Sequence, residues 1–342
     1  MTKTIKIDKI RDMSESAKNL ENYFIQNKAE PTPEREKGPS IEIPEATVKL
    51  AVDHMTWILR QNEGRKLLIP FSGGRDSILT SLLACEAHKE HPENIMLVHE
   101  TNSSSPGEQR MVEIFQRHYG IDVKKIQVET PNAFTDFEPD AWEKVEAQFE
   151  SRHRAMEEFI ETGEYIRVLS GNLTEDLLGL LTPTTFTEED KVLQPITMLF
   201  GSEVEKLLRQ FDAPRELALQ KPYTSETKQP KEDVLGSSYE IIDAALWLKL
   251  HSPNIQAIAR ALGVKSSWLK ELLTKRVKNR RDVIYPILKE AQEDPLSMGA
   301  IPEELKKRLA DYRWERLRSM GVSLSDVPFI KKPTLETFYE GI

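Results

Sequence analysis

The sequence predicts an α/β protein, a doubly wound parallel sheet with a helical C-terminal region. Three observations predict it. Short apolar runs alternate with helix-periodic segments between residues 66 and 170, the pattern of βαβ units whose sheet is covered on both faces. A glycine- and serine-rich loop, FSGGRDS at 71–77, joins the first apolar run to the first helical segment. Beyond about residue 236 the periodicity is helical almost throughout.

Residues 1–43 read as a polar N-terminal extension. The stretch QNKAEPTPEREKGPS mixes prolines with both signs of charge and holds almost nothing apolar. It buries too little surface to offset its ordering entropy, so a mobile linker is expected, preceded by a short helix within Ile10–Ile25. The segment 44–250 carries the sheet. Val48, Leu50, Ala51, Met55, Ile58 and Leu59 recur at helical spacing before Gly64, a helix-terminating residue type. Strands are predicted at Lys66–Pro70, Asn94–His99, Val123–Val128 and Tyr165–Ser170, with helices over Asp76–Lys89, Gly107–Tyr119 and Asp140–Thr162 between them. The segment 251–342 reads as helical, closing in an extended tail from about Gly321.

Composition narrows the function classes. Of 342 residues, 39% are hydrophobic and 30% charged, with a net charge of −9. Bulk charge therefore gives no attraction to nucleic acid or anionic membrane. IQAIARALGVKSSWLKELL has the form of a helix-turn-helix and precedes a basic stretch, LLTKRVKNRR. In so acidic a chain nucleic acid is still not the expected partner. The single cysteine, Cys85, excludes an intrachain disulfide and any multi-cysteine metal site, and its apolar surroundings predict a core thiol. No apolar run reaches the roughly 18 residues of a membrane span. The N-terminus lacks the apolar stretch of a signal peptide, so the cytoplasm is the expected compartment.

The loop carries the chemistry. Gly73 and Gly74 leave no Cβ in the path of a ligand. The first amides of the helix that follows have no intrahelical partner, and the helix dipole favours an anion there. Ser72 and Ser77 add hydroxyls, and the loop lies at a strand's carboxyl end, where such sheets bind ligands. Together these predict a phosphate cradle that is not a Walker A loop, since GxxxxGK[ST] is absent. Asp76 would repel bound phosphate unless a cation lay between them, which points to Mg2+. The plain alternative is a strand-to-helix turn capped by Asp76 or Ser77.

SGG-x-DS after the first strand resembles the signature of the ATP pyrophosphatases, or PP-loop enzymes. These cleave ATP between the α and β phosphates and activate a substrate as its adenylate. Later segments resemble the ammonia-dependent NAD synthetases within that superfamily. They are SSSPGE from Ser103, SRHRAM from Ser151, SGNLTED from Ser170, PITMLFGSEVEKL from Pro195, Lys221-Pro222 with KEDVLGSSYEIID from Lys231, and KNRRDV from Lys278. The resemblance spans about residues 46–290, in order and at similar spacing.

The resemblance implies an adenine nucleotide alpha hydrolase-like fold, ATP and Mg2+ as cofactors, and a small-molecule carboxylate, deamido-NAD, as substrate. Ser72, Gly73, Gly74, Arg75, Asp76 and Ser77 would hold the phosphates, with Ser72, Asp76 and Ser77 in the catalytic set. Asp76 and Glu175 would bind the metal, and Thr174 and His99 would neighbour the nucleotide. Glu175 as a first-turn acid of its helix is the structural alternative. The nitrogen donor would be free ammonia, another amine, or ammonia supplied by a separate partner protein, because no amidohydrolase domain with a cysteine nucleophile precedes the first strand. A homodimer is expected, since that family builds its substrate site across a dimer interface.

The sequence also departs from the family. The lysine of P-x-x-x-L-x-K is replaced by Gly201, and a glycine-rich KYGDGG-like loop by TPTTFTEED. Arg75 and Lys191 are candidate replacement cations. Two alternatives therefore stay open: the same adenylation on a different acid or with a different nucleophile, and a non-catalytic nucleotide-binding protein.

Overall fold

A computed structural model of the chain describes residues 41–60, 65–101, 106–126, 165–178, 192–211, 213–218, 232, 235–273, 301–325 and 327–329. Helix α1 (Glu45–Arg60) leads into strand β1 (Lys66–Pro70), helix α2 (Arg75–Ala87) and strand β2 (Ile95–Glu100). Helix α3 (Pro106–Tyr119) and strand β3 (Lys124–Ile126) follow, then β4 (Tyr165–Val168), helix α4 (Leu173–Leu178) and β5 (Val192–Leu193). Helices α5 (Gly201–Gln210), α6 (Arg215–Ala218), α7 (Tyr239–His251), α8 (Ile255–Leu262), α9 (Ser266–Glu271) and α10 (Glu303–Ser319) complete the described α-helices, and a 3-10 turn (Pro92–Asn94) precedes β2.

The strands form one parallel sheet in the order β3-β2-β1-β4-β5. In register, Leu67 lies beside Ile95 on one side of β1 and Ile166 on the other. The chain winds from β1 outward through β2 and β3, then returns to the opposite side of β1 with β4. Strand order thus reverses between β1 and β4, and the loops leaving their carboxyl ends face one crevice. Both FSGGRDS and SGNLTED leave the sheet there.

Alternation along β1 divides the core. Leu67 and Ile69 join the main cluster with Met55 and Leu59 of α1, Leu79 and Leu83 of α2, and Leu207 and Leu208 of α5. Leu68 packs with Val98 on the other face, the period-2 pattern of a strand buried on both sides. A second cluster joins Leu177 and Leu178 of α4 and Phe200 to α7, α8, α9 and Leu317 of α10. The C-terminal helices therefore share a core with the helix that follows β4.

Several expectations change in detail. β5 spans two residues and, among the described residues, pairs with β4 alone, too short to leave a periodic signal. Cys85 is half-buried rather than a full core residue, and burial pushes its thiol up to about 11. The predicted helix over Asp140–Thr162 and the basic stretch from Thr274 lie outside the described residues, as do residues 1–40. In the helix-turn-helix segment, Gly263 takes φ 69° between α8 and α9. The second helix is docked by buried Trp268 and Leu269, and the Trp268 indole donates to the Leu235 carbonyl at 2.9 Å. Among the described residues no helix is long and apolar enough to cross a membrane.

Candidate nucleotide site

The loop is rooted on β2. The Phe71 amide donates to the Val98 carbonyl (2.8 Å), and the Phe71 carbonyl accepts from Nδ1 of His99 (2.8 Å). The Phe71 ring packs on Phe115 of α3, 4.6 Å between centroids. That bond puts the His99 proton on Nδ1 and leaves Nε2 a bare acceptor, buried and without a partner among the described residues. Burial also lowers the His99 pKa, so the ring is neutral.

Gly73 sits at φ +79°, and a Cβ there would lie 3.0 Å from the Glu108 carbonyl oxygen and 3.3 Å from the Met111 Cβ. Left-handed backbone and close contact with α3 both require glycine at this position. Gly74 is ordinary extended backbone (φ −75°, ψ 160°), and among the described residues no side chain caps α2 behind it. An anion placed at this end of α2 would meet the positive end of the helix dipole. Ser77 donates to the Gly74 carbonyl (2.9 Å), the two serine hydroxyls are 3.1 Å apart, and Ser72 accepts from the Gly74 amide (3.2 Å). With the Ser77 proton on Gly74, Ser72 must donate to Ser77. Ser72 is exposed, so its hydroxyl is the one an incoming anion meets first.

Asn172 links the Asp76 carboxylate to the backbone of Glu175. Its Nδ2 donates to Asp76 Oδ1 at 2.9 Å, and its Oδ1 accepts from the Glu175 amide at 3.1 Å. One side chain thus caps α4 and reaches across the β1/β4 crevice to α2. The Asp76 carboxylate is an oxygen donor of the kind a hard cation takes together with phosphate oxygens. Among the described residues no group of three or more His, Cys, Asp or Glu gathers to hold a metal alone.

Two residues of the expected site have partners inside the protein. Arg75 is buried, and its Nη1 donates to Glu205 Oε2 of α5 at 2.8 Å, with the guanidinium 5.8 Å from the Tyr239 ring centroid. Its charge is answered inside the protein. Thr174 is also fully buried; it donates to Asp243 Oδ1 and accepts from the Gly201 amide at 2.9 Å. Lys191 lies outside the described residues. At Gly201 an added Cβ would stand 2.6 Å from the Tyr239 ring, so that ring fills the space beside α5.

Sequence reasoning assigned no role to Asn172, Asp243, Arg313 or Arg316. Asn172 and Asp243 sit inside quoted motifs, SGNLTED and YEIID, and for Asp243 a polar residue amid apolar neighbours was the available signal. The two arginines carried none, since α10 shows only ordinary helical charge patterning.

A glycine-serine loop at the switch point of a parallel sheet, with its Asp76 tied by Asn172 to the turn that leaves β4, defines a nucleotide-binding protein of the ATP pyrophosphatase, or PP-loop, type. A sequence model described as NAD synthase matches residues 47–282, and the chain belongs to that family of ATP-dependent ligases. The NH3-dependent NAD synthetase of Wolinella succinogenes is 25% identical over 254 residues, covering 71% of this chain and 96% of that protein. The enzyme of the same description from Pyrococcus horikoshii is 25% identical over 245 residues, covering 69% and 93%. A solved NH3-dependent NAD synthetase from Campylobacter jejuni, in complex with the nitrate ion, aligns with a TM-score of 0.51 at 16% identity. It covers 71% of this chain and 96% of that one, a likeness of fold.

Proposed function

We propose that the protein adenylates the carboxylate of deamido-NAD with ATP, releases pyrophosphate, and transfers ammonia to give the amide of NAD. The observation that carries this reading is Asn172 bonding both Asp76 and the Glu175 amide beside an uncapped helix N-terminus. That is a place for polyphosphate and a divalent cation together.

In this mechanism the α2 amides and Ser72 bind the β and γ phosphates and stabilise the charge that grows on the leaving pyrophosphate. The substrate carboxylate oxygen attacks the α-phosphorus, and the bond from that phosphorus to the bridging oxygen breaks. Ammonia then attacks the acyl carbon, AMP departs with the former carboxylate oxygen, and the nitrogen loses its surplus proton to solvent. Asp76 and Glu175 would hold Mg2+, which when bound supplies Lewis-acid stabilisation of the phosphate oxygens. Asn172 fixes the Asp76 carboxylate orientation. His99 holds the loop root through Phe71, and its Nε2 is an acceptor for a nucleotide N–H or O–H. Arg75 acts as a strut between α2 and α5 rather than as a phosphate ligand.

One observation favours a second reading, adenylation of a different acid. The Tyr239 ring packed on Gly201 leaves no room for a side chain where related sequences place a lysine. Pyrophosphate release from ATP separates the cases. Release that depends on deamido-NAD and ammonia supports the proposal, and release only with another acid supports the second reading. Asp76→Asn should abolish release while preserving the fold; a near-normal rate would remove Asp76 from the mechanism. Homodimer formation and a cytoplasmic location belong to the same proposal, with sedimentation of the full chain as the check on the dimer.

A further inference from the structure

Helix α10 lies beyond residues 47–282, the span matched by the family, yet two of its arginines reach the first turn of α5. Arg313 grips both Glu203 oxygens at 2.8 Å and the Met198 carbonyl at 2.8 Å, with its guanidinium against the rings of Phe200 and Trp247. Arg316 donates through Nη1 to Ser202 Oγ (2.8 Å) and through Nη2 to the Glu240 carbonyl (3.3 Å). Ser202 in turn donates from its amide and its hydroxyl to Asp243 Oδ2. Asp243 Oδ1 accepts from Thr174, which accepts from the Gly201 amide. An unbroken series of hydrogen bonds thus runs from α10 to the turn that carries Asn172 and Glu175.

Asp243 is the sensitive member of this series. It is buried at 1% exposure, and a carboxylate taken out of water needs its donors and a nearby cation. The charged groups around it are Arg316 and Arg313 of α10, Glu203 of α5, and Glu240 on its own helix. Burial pushes its carboxyl up to about 6, while Arg316 and the hydroxyls of Ser202 and Thr174 pull the other way. Without Arg316, Asp243 would keep its proton to higher pH and accept from its neighbours less well.

We propose that Arg316 is a positioning residue for the nucleotide site, holding Ser202, Asp243 and Thr174 in line and so setting the turn that presents Asn172 and Glu175. The proposal rests on the reading of Asn172 and Glu175 as part of that site. A helix that merely packed against the domain would affect stability alone.

The test uses the full chain, with ATP affinity measured calorimetrically and amide exchange followed at Gly201 and Ser202. Arg316→Met should weaken ATP binding about tenfold, accelerate exchange at both amides, and move the acid limb of ATP binding to higher pH. Arg316→Lys, which keeps the charge, should restore most of the affinity. Tyr312→Phe, on the same helix, loses its bond to Lys206 and should leave affinity and pH dependence unchanged. If Arg316→Met does not fold, Ser202→Ala removes the hydroxyl link alone and should shift the same readouts in the same direction. Wild-type affinity, exchange and pH dependence in Arg316→Met, or in Ser202→Ala in that case, would overturn the proposal. Failure of the unmodified chain to bind ATP would instead contradict the site's reading, and amide exchange would still decide whether Arg316 orders the turn.

Discussion

Arg75 and Glu205 are joined by a 2.8 Å ion pair, their side chains 8% and 27% exposed, so the arginine inside the phosphate loop is tied to α5. Glu205 also holds Arg209, so removing Arg75 leaves the carboxylate partly answered. Arg75→Met should therefore lower stability by only about 1–2 kcal/mol, below the roughly 3–5 kcal/mol of a fully buried pair. A lost phosphate contact would weaken ATP binding roughly tenfold or more. The strut reading predicts an ATP KM within about threefold of wild type, read from saturation curves alongside urea unfolding. A KM raised about tenfold at unchanged stability would return Arg75 to the phosphates.

Asn172 is held at both ends, so truncation should damage chemistry more than folding. Asn172→Ala should lower kcat/KM about 100-fold, the scale at which supports of a metal site act. Its helix-capping loss should amount to about 1 kcal/mol. Asn172→Asp loses the donor to Asp76 and sets a second carboxylate beside it, so kcat/KM should fall even at saturating Mg2+. An Ala variant with normal kcat/KM would detach Asn172 from the site.

Gly201 and Tyr239 form a tight pair, and a Cβ on the glycine has 2.6 Å to the ring. Tyr239 is buried, so the ring cannot simply swing to solvent. Gly201→Ala should destabilise by about 1–3 kcal/mol through overpacking. In a double-mutant cycle, Tyr239→Ala should absorb most of that penalty, because the clash partner is gone. Additive effects would show that the two do not compete for space.

Acid should weaken the fold in the window just below the ordinary histidine pKa. Burial lowers the pKa of His54, His99 and His251. The unfolded chain then binds more protons than the native one below about pH 6.5, and their contribution is lost as pH falls through that range. Asp243 has the opposite sign: its pKa is raised to about 6, so between the unfolded carboxylate value and about 6 the native state holds the extra proton. With three groups against one, Tm should drop between about pH 7.5 and 5.5, and His99→Gln should reduce the drop. An unchanged pH dependence in that variant would exclude His99 as a contributor.

Much of the frame was legible because it is local. β1 occupies Lys66–Pro70 as its apolar run predicts, β2 is shifted by one residue, and α7 follows the period of YEIIDAALWLKL. The turn of FSGGRDS was legible too, since Gly73 and the start of α2 are properties of adjacent residues. What escaped is long-range. The partner of Arg75 is 130 residues away and that of Thr174 is 69 away. Ser202 and Arg316 are separated by 114. Whether Arg75 faces phosphate or Glu205 depends on how α2 packs against α5, which no local pattern encodes. Composition gives no hint that a helix past the matched region completes the network around Asp243.

The central claim is that a carboxylate attacks the α-phosphorus of ATP in this site. Deamido-NAD labelled with oxygen-18 in its carboxylate tests it most directly, in a reaction with ATP, Mg2+ and ammonia analysed by mass spectrometry. The account predicts NAD, unlabelled pyrophosphate and AMP carrying one labelled oxygen. Label recovered in inorganic phosphate, or AMP formed without label, would contradict it.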